Sequence, residues 1–103
     1  MDMAMLVFVF TLKEWQLTDA ETRRLAGDVG DVWTEEQIQK AALVKDIYLN
    51  LQSMPPKQAR TWPRKPNGNP RFGGRPPLDL MLAGVEGLER VLKFLMAQNG
   101  GPL

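Results

Sequence analysis

The chain has 103 residues, a formal net charge of +1, 44% hydrophobic and 24% charged residues, the composition of one ordinary globular domain rather than a disordered segment. It contains no cysteine and no histidine, which excludes disulfides, thiolate nucleophiles, imidazole bases and nearly every transition-metal site. Its single serine, Ser53, therefore has no imidazole to activate it, and only carboxylate chemistry survives.

The apolar run Met3 to Leu12 follows Asp2 rather than a basic segment and lacks both the length of a membrane span and a small-residue cleavage site. It is expected to be a first core element, not a signal. Met5 to Trp15 is ambiguous between helix and strand because its β-branched and aromatic residues suit both. As a helix it carries too much apolar surface, since Leu6, Val7, Phe8, Val9 and Phe10 coat all sides and only one side can face the core. The excess suggests a dimer contact.

Thr18-Asp19-Ala20-Glu21 reads as a capping box that opens a helix, and Gly27 supplies the stop. A second box, Thr34 to Gln37, opens a longer helix with Ile38, Ala41, Ala42, Ile47, Tyr48 and Leu51 at helical spacing, widened by Leu43 and Val44. Pro55 and Pro56 are expected to end it. Lys57 to Trp62 can form another short helix before Pro63. From there to Pro77 the proline, glycine and asparagine content predicts an irregular loop. Pro77 suits the first position of a short helix through Ala83, with Gly84 as its C-terminal cap. The final helix sets Val85, Leu88, Val91, Leu92, Leu95 and Met96 against Glu86, Glu89, Arg90, Lys93 and Gln98, and ends at Asn99-Gly100-Gly101-Pro102. The expected fold is all-α, a compact bundle of about five helices with a Pro/Gly-rich loop before the last two.

Charge is unevenly placed. Between Asp19 and Glu36 six acids face two arginines, whereas no acid occurs between Asp46 and Asp79, a stretch carrying Lys57, Arg60, Arg64, Lys65, Arg71 and Arg75. The loop is a local cation.

The stretch from Trp62 to Gly84 holds, in order, a tryptophan, the Pro66-Asn67 pair, Phe72 before Gly73-Gly74, and the helix start Pro77-Leu78-Asp79. A closing helix then ends in Asn99-Gly100-Gly101. This order resembles the toxin-binding domain of Xre/MbcA/ParS-like antitoxins over the last ~45 residues, well above a lone glycine-rich loop in specificity. Trp15 to Glu21 with Leu25-Ala26-Gly27 also looks like the family's N-terminal helices. Each landmark has a mechanical reading as well. Trp62 and Phe72 can anchor the loop by burial, Gly73 and Gly74 allow backbone conformations closed to other residues, and Asp79 can cap free amides or oppose the helix dipole.

The resemblance implies a homodimeric, cytoplasmic bacterial antitoxin with no catalytic activity and no cofactor, encoded beside a RES-domain toxin that consumes NAD or transfers ADP-ribose. In that reading residues 1–54 form an N-terminal helical region, a degenerate helix-turn-helix that can serve dimerisation, and residues 55–103 form the toxin-binding module. The toxin-binding residues carried over are Trp62, Asn67, Phe72, Gly73, Gly74, Pro77, Leu78, Asp79, Asn99, Gly100 and Gly101. Arg71 and Arg75 join them on physical grounds, because a cleft built for an anionic dinucleotide attracts arginine.

Operator binding is expected to be weak or absent. Only Asp28 to Trp33 separates Gly27 from the next cap, too short for a recognition helix, and a reader helix opening at Thr34 would press Glu35 and Glu36 toward phosphates. The alternative is a small nucleic-acid binder or autorepressor using the basic loop 57–75, with Trp62 and Phe72 stacking on bases; the near-zero net charge and acidic N-terminal half oppose it. An enzyme is the weakest reading. Asp28, Asp31, Glu35 and Glu36 crowd into a loop and cap where like charges are usually just solvated, and Gly73-Gly74 lacks the lysine and preceding strand of a phosphate loop. No membrane association is expected.

Overall fold

The computed structural model describes residues 3–28 and 30–100. They form α1 (Met3–Glu14), α2 (Asp19–Ala26), α3 (Glu35–Leu51), α4 (Pro56–Thr61), a 3-10 turn (Trp62–Arg64), α5 (Pro77–Met81) and α6 (Val85–Gln98). The all-α expectation holds, with six α-helices among the described residues where about five were expected. None of them is long and apolar enough to cross a membrane.

The ambiguous first segment is a helix. Phe8, Thr11 and Trp15 share one buried stripe, and the Thr11 hydroxyl satisfies itself by donating to the Val7 carbonyl at 2.6 Å. An extended segment here would lack a partner strand for its amides. At the helix end Gln16 adopts φ 55°, and the Leu17 amide reaches back to the Leu12 carbonyl at 3.1 Å. This is a Schellman-type stop with glutamine where glycine is usual.

Both capping boxes form as read. Thr18 and Thr34 each accept from the backbone amide three residues on at 3.1 Å, and Glu21 and Gln37 each accept from the cap amide at 2.9 Å. Gly27 closes α2 at φ 71°. Gln37 also reaches beyond its own helix. Its amide nitrogen donates to the Ala26 carbonyl at 2.9 Å and the Asp28 carbonyl at 3.1 Å, tying the end of α2 to the start of α3.

Helix α3 is the centre of the molecule, with α1 and α6 both packed on it. Its buried positions are Lys40, Ala41, Val44, Ile47 and Leu51, and one continuous core runs from Phe8 and Trp15 through these to Met81, Leu88, Val91 and Leu95. Ile38, read as part of the buried stripe, is 42% exposed instead. The stripe that enters the core runs through Lys40, Val44, Ile47 and Leu51, and at helical spacing Ile38 lies on the other side. Tyr48 is half-buried and meets Phe10 edge-on at 5.8 Å.

Two boundaries differ from expectation, each for a local reason. Helix α3 ends at Leu51, before the prolines, and Pro56 instead takes the first position of α4, where its missing N–H costs nothing. Helix α5 starts at Pro77 as expected but stops at Met81, so Gly84, at φ 126°, caps the start of α6 rather than the end of α5. Helix α6 divides largely as read: Leu88, Val91 and Leu95 are buried and Val85, Leu92 and Met96 half-buried, while Glu86, Glu89, Arg90, Lys93 and Gln98 are exposed. Gly87 is buried between them, and a Cβ there would lie 1.8 Å from the Leu80 carbonyl oxygen. Only glycine lets α5 and α6 come this close.

Candidate functional site

The irregular segment after the 3-10 turn is ordered by its own hydrogen bonds. The Asn67 amide donates to the Arg75 carbonyl at 3.2 Å, closing the loop at its neck. Within it the Asn67 side chain accepts from the Asn69 amide at 2.9 Å, and the Asn69 side chain from the Arg71 amide at 3.0 Å. The Phe72 amide donates to the Asn69 carbonyl and the Arg75 amide to the Phe72 carbonyl, both at 2.9 Å. Asn67 is thus the hinge of a compact loop rather than a bare turn.

Phe72 pins this loop to the core. Only 5% exposed, it meets Phe94 of α6 edge-on at 5.0 Å and Trp62 at 5.9 Å, while Trp62 and Phe94 stack at 6.3 Å. Burying a ring of this size stabilises the loop by about 1.5–3 kcal/mol, and the edge-to-face contacts add to it. With Phe72 turned inward, Gly73 at φ 58° and Gly74 at φ 80° carry the chain over the outside, both exposed. Both values lie in the region closed to most side chains, as expected of this pair.

Arg64 joins the base of the loop to the N-terminal helices. Its Nε donates to the Trp15 carbonyl and its Nη2 to the Gln16 carbonyl, each at 2.8 Å, and the guanidinium pairs with both carboxylate oxygens of Glu21. The donating Thr18 backbone amide and the Arg64 guanidinium hold the Glu21 carboxyl below its ordinary value, against the opposing effect of partial burial. Arg75 is likewise partnered, its Nε donating to Asp79 at 2.9 Å. Lys57, Arg60, Lys65 and Arg71 are exposed and pair with no described carboxylate. The cationic loop is therefore less cationic than its sequence suggests.

The residues carried over from the resemblance separate into two groups. Phe72, Pro77 and Leu78 are buried and Trp62 is half-buried, so these shape and support the surface rather than form it. Arg71, Gly73, Gly74 and Arg75 are exposed on the loop, with Asn67 and Asp79 half-buried at its neck. Asp79 lies in the first turn of α5, near the positive end of its dipole, but caps no amide; Arg75 holds its carboxylate instead. Asn99 is exposed at the end of α6 and is turned to α3, where its amide nitrogen donates to the Asn50 carbonyl at 3.0 Å and its oxygen accepts from the Ser53 hydroxyl at 3.0 Å. Gly100 follows at φ 64°. Gly101 lies outside the described residues.

Phe94 completes the aromatic cluster, although sequence reasoning does not single it out. Its signal is faint: an aromatic on the polar side of α6, beside Arg90 and Lys93 at i−4 and i−1. Among the described residues no cluster of His, Cys, Asp or Glu could hold a metal ion.

Residues 37–101, well over half of the chain, match the family model of the antitoxin Xre/MbcA/ParS C-terminal toxin-binding domain. The chain belongs to this antitoxin family. The match begins inside α3 and takes in the whole loop, the aromatic cluster and both closing helices, so the toxin-binding domain includes the central helix as well as the irregular segment. No curated protein and no solved structure matches the chain.

Proposed function

We propose that this antitoxin neutralises a RES-domain toxin, one that consumes NAD or transfers ADP-ribose, by covering its active-site cleft and excluding substrate. The role asks for no catalysis and no cofactor from this chain. Residues 55–103 carry the toxin-facing surface in this reading, and residues 1–54 brace it and supply a homodimer contact. The setting is the bacterial cytoplasm.

The observation that carries the reading is the loop at 67–75, closed by its own hydrogen bonds and exposing Arg71, Gly73, Gly74 and Arg75 as its crest. A loop already closed by its own hydrogen bonds loses little conformational freedom on docking. Exposed glycine backbone can approach another chain closely, and the flanking guanidinium groups can pair with carboxylates of the toxin around its cleft. The supporting residues are Trp62, Asn67, Phe72, Pro77, Leu78 and Asp79, with Asn99, Gly100 and Gly101 as a second, separate contact.

The nucleic-acid reading draws less support. Phe72 is buried and Trp62 packs against it, so neither ring stands free to stack on a base, and Arg64 and Arg75 are already partnered by Glu21 and Asp79. Weak or absent operator binding follows.

The test is NAD consumption by a RES-type toxin with and without the chain. Wild type is expected to abolish turnover at equimolar ratio, and Arg71→Glu with Arg75→Glu to weaken the complex through a faster off-rate. Undiminished NAD consumption in the presence of excess wild-type chain rejects the proposal.

A further inference from the structure

Between the loop and the outer face of α6 lies an open groove of about 330 Å³, lined by Arg71, Phe72, Leu80, Arg90, Lys93 and Phe94. It does not stop there. A second depression of about 190 Å³ shares Leu80 and Arg90 with the first and continues along α6 past Gly87 to Glu86 and Ala83. The floor is apolar and stiff, because the Phe72 and Phe94 rings brace one another and both rest on Trp62. The rim is cationic. Arg90 is held by Glu86 at 2.9 Å, whereas exposed Arg71 and Lys93 pair with no described carboxylate.

Two cations without a described carboxylate partner, beside an aromatic floor, favour an anionic ligand that also brings apolar surface. The shape distinguishes a chain segment from a small molecule. Small-molecule sites enclose their ligand and fix its orientation with a few placed polar groups. This groove is open and elongated along a helix, and none of its lining side chains is an uncharged hydrogen-bonding group that would read a nucleotide base.

We propose that this groove holds an extended, acidic and apolar segment of the protein toxin. A carboxylate sits between Arg71 and Lys93, and the neighbouring apolar side chain lies on Phe72, Phe94 and Leu80. The assignment rests on the toxin-neutralising reading above and adds to the contacts proposed there a further, specificity-determining one on α6. Lys93, Phe94 and Leu80 are its new members.

Two experiments on the full chain test it. In the first, backbone NMR signals are followed during titration with a synthetic decapeptide centred on Ser-Glu-Phe-Leu-Ser, with the same peptide carrying Gln for Glu, and with ATP. The acidic peptide is expected to give saturable shifts at Phe72, Lys93 and Phe94, its Gln counterpart to bind at least tenfold more weakly, and ATP to leave these signals in place. Shifts with ATP but not with the peptide, or equal binding of both peptides, overturn the proposal.

In the second, dissociation of the RES-type toxin complex is timed for wild type, for Lys93→Glu, which alters the groove and leaves the crest of the loop intact, and for a Lys57→Glu, Arg60→Glu control, each checked for unchanged helicity. The groove variant is expected to dissociate at least tenfold faster and the control to match wild type. A toxin held as tightly by the groove variant as by wild type sinks the groove and leaves the neutralising reading standing. A wild-type chain that holds no RES-type toxin, yet takes the acidic peptide in the groove, sinks the toxin reading and leaves the groove chemistry standing.

Discussion

The Arg64 guanidinium reaches the carbonyls of Trp15 and Gln16 and the carboxylate of Glu21 at once, so one planar fork fastens the α1–α2 turn to the base of the loop. Because the folded Glu21 carboxyl titrates below its ordinary value of 4.5, the stabilisation it brings is present above that pH and is lost as pH falls through the lowered folded value. Glu21→Gln keeps the capping geometry and removes the charge. The variant is expected to be less stable than wild type by about 1 kcal/mol at neutral pH, with the difference shrinking below pH 4.5; thermal melts across this range check it, and a gap that persists in acid contradicts the linkage. The fork also explains Gln16, a non-glycine residue at φ 55° whose carbonyl Arg64 holds. Its backbone conformation costs roughly 1 kcal/mol relative to glycine. Gln16→Gly should therefore raise the denaturation midpoint by a fraction of that amount, since added freedom in the unfolded chain offsets the rest.

At the level of elements, the join between α5 and α6 is the most demanding contact. A Cβ at Gly87 would lie 1.8 Å from the Leu80 carbonyl oxygen and 2.8 Å from its carbon, and backbone cannot yield as a flexible side chain can. Gly87→Ala should force the helices apart, shift Leu80 out of the groove and destabilise the fold by about 1–3 kcal/mol. A crystal structure or denaturant titration of the variant decides this; an alanine accepted without loss would mean that α5 is loosely docked. The loop is the opposite case. It has no regular structure, yet its neck bond from Asn67 to Arg75 and its Phe72 anchor give it a fixed shape. The proposed contact therefore needs no folding on binding.

For the whole molecule, surface that the fold leaves uncovered matters most. Leu6, Val9 and Phe10 are 53%, 39% and 46% exposed and lie at i, i+3 and i+4, away from the buried stripe of Phe8, Thr11 and Trp15, although one edge of Phe10 meets Tyr48. A second copy of this chain meeting along α1 would cover them, which is the dimer proposed above. Sedimentation of the wild-type chain is expected to report a dimer and Val9→Asp with Phe10→Asp a monomer that retains its helicity. A wild-type chain that stays monomeric at high concentration, with toxin bound, removes the dimer.

Much of the fold could be read from one dimension because its determinants are local. Thr18 with Glu21 and Thr34 with Gln37 form capping boxes across three residues, Pro77 sets a helix start, and the buried stripe of α6 repeats at helical spacing; the ordered landmarks from Trp62 to Asp79 likewise carried the family. Tertiary structure decided what depends on neighbours distant in sequence. It made α1 a helix by giving Phe8 and Trp15 a core to enter, turned Phe72 and Leu78 inward, neutralised Arg64 with Glu21, and set Phe94 beside Trp62. Local rules specify backbone conformation within a few residues, whereas burial and charge pairing are properties of the space between elements.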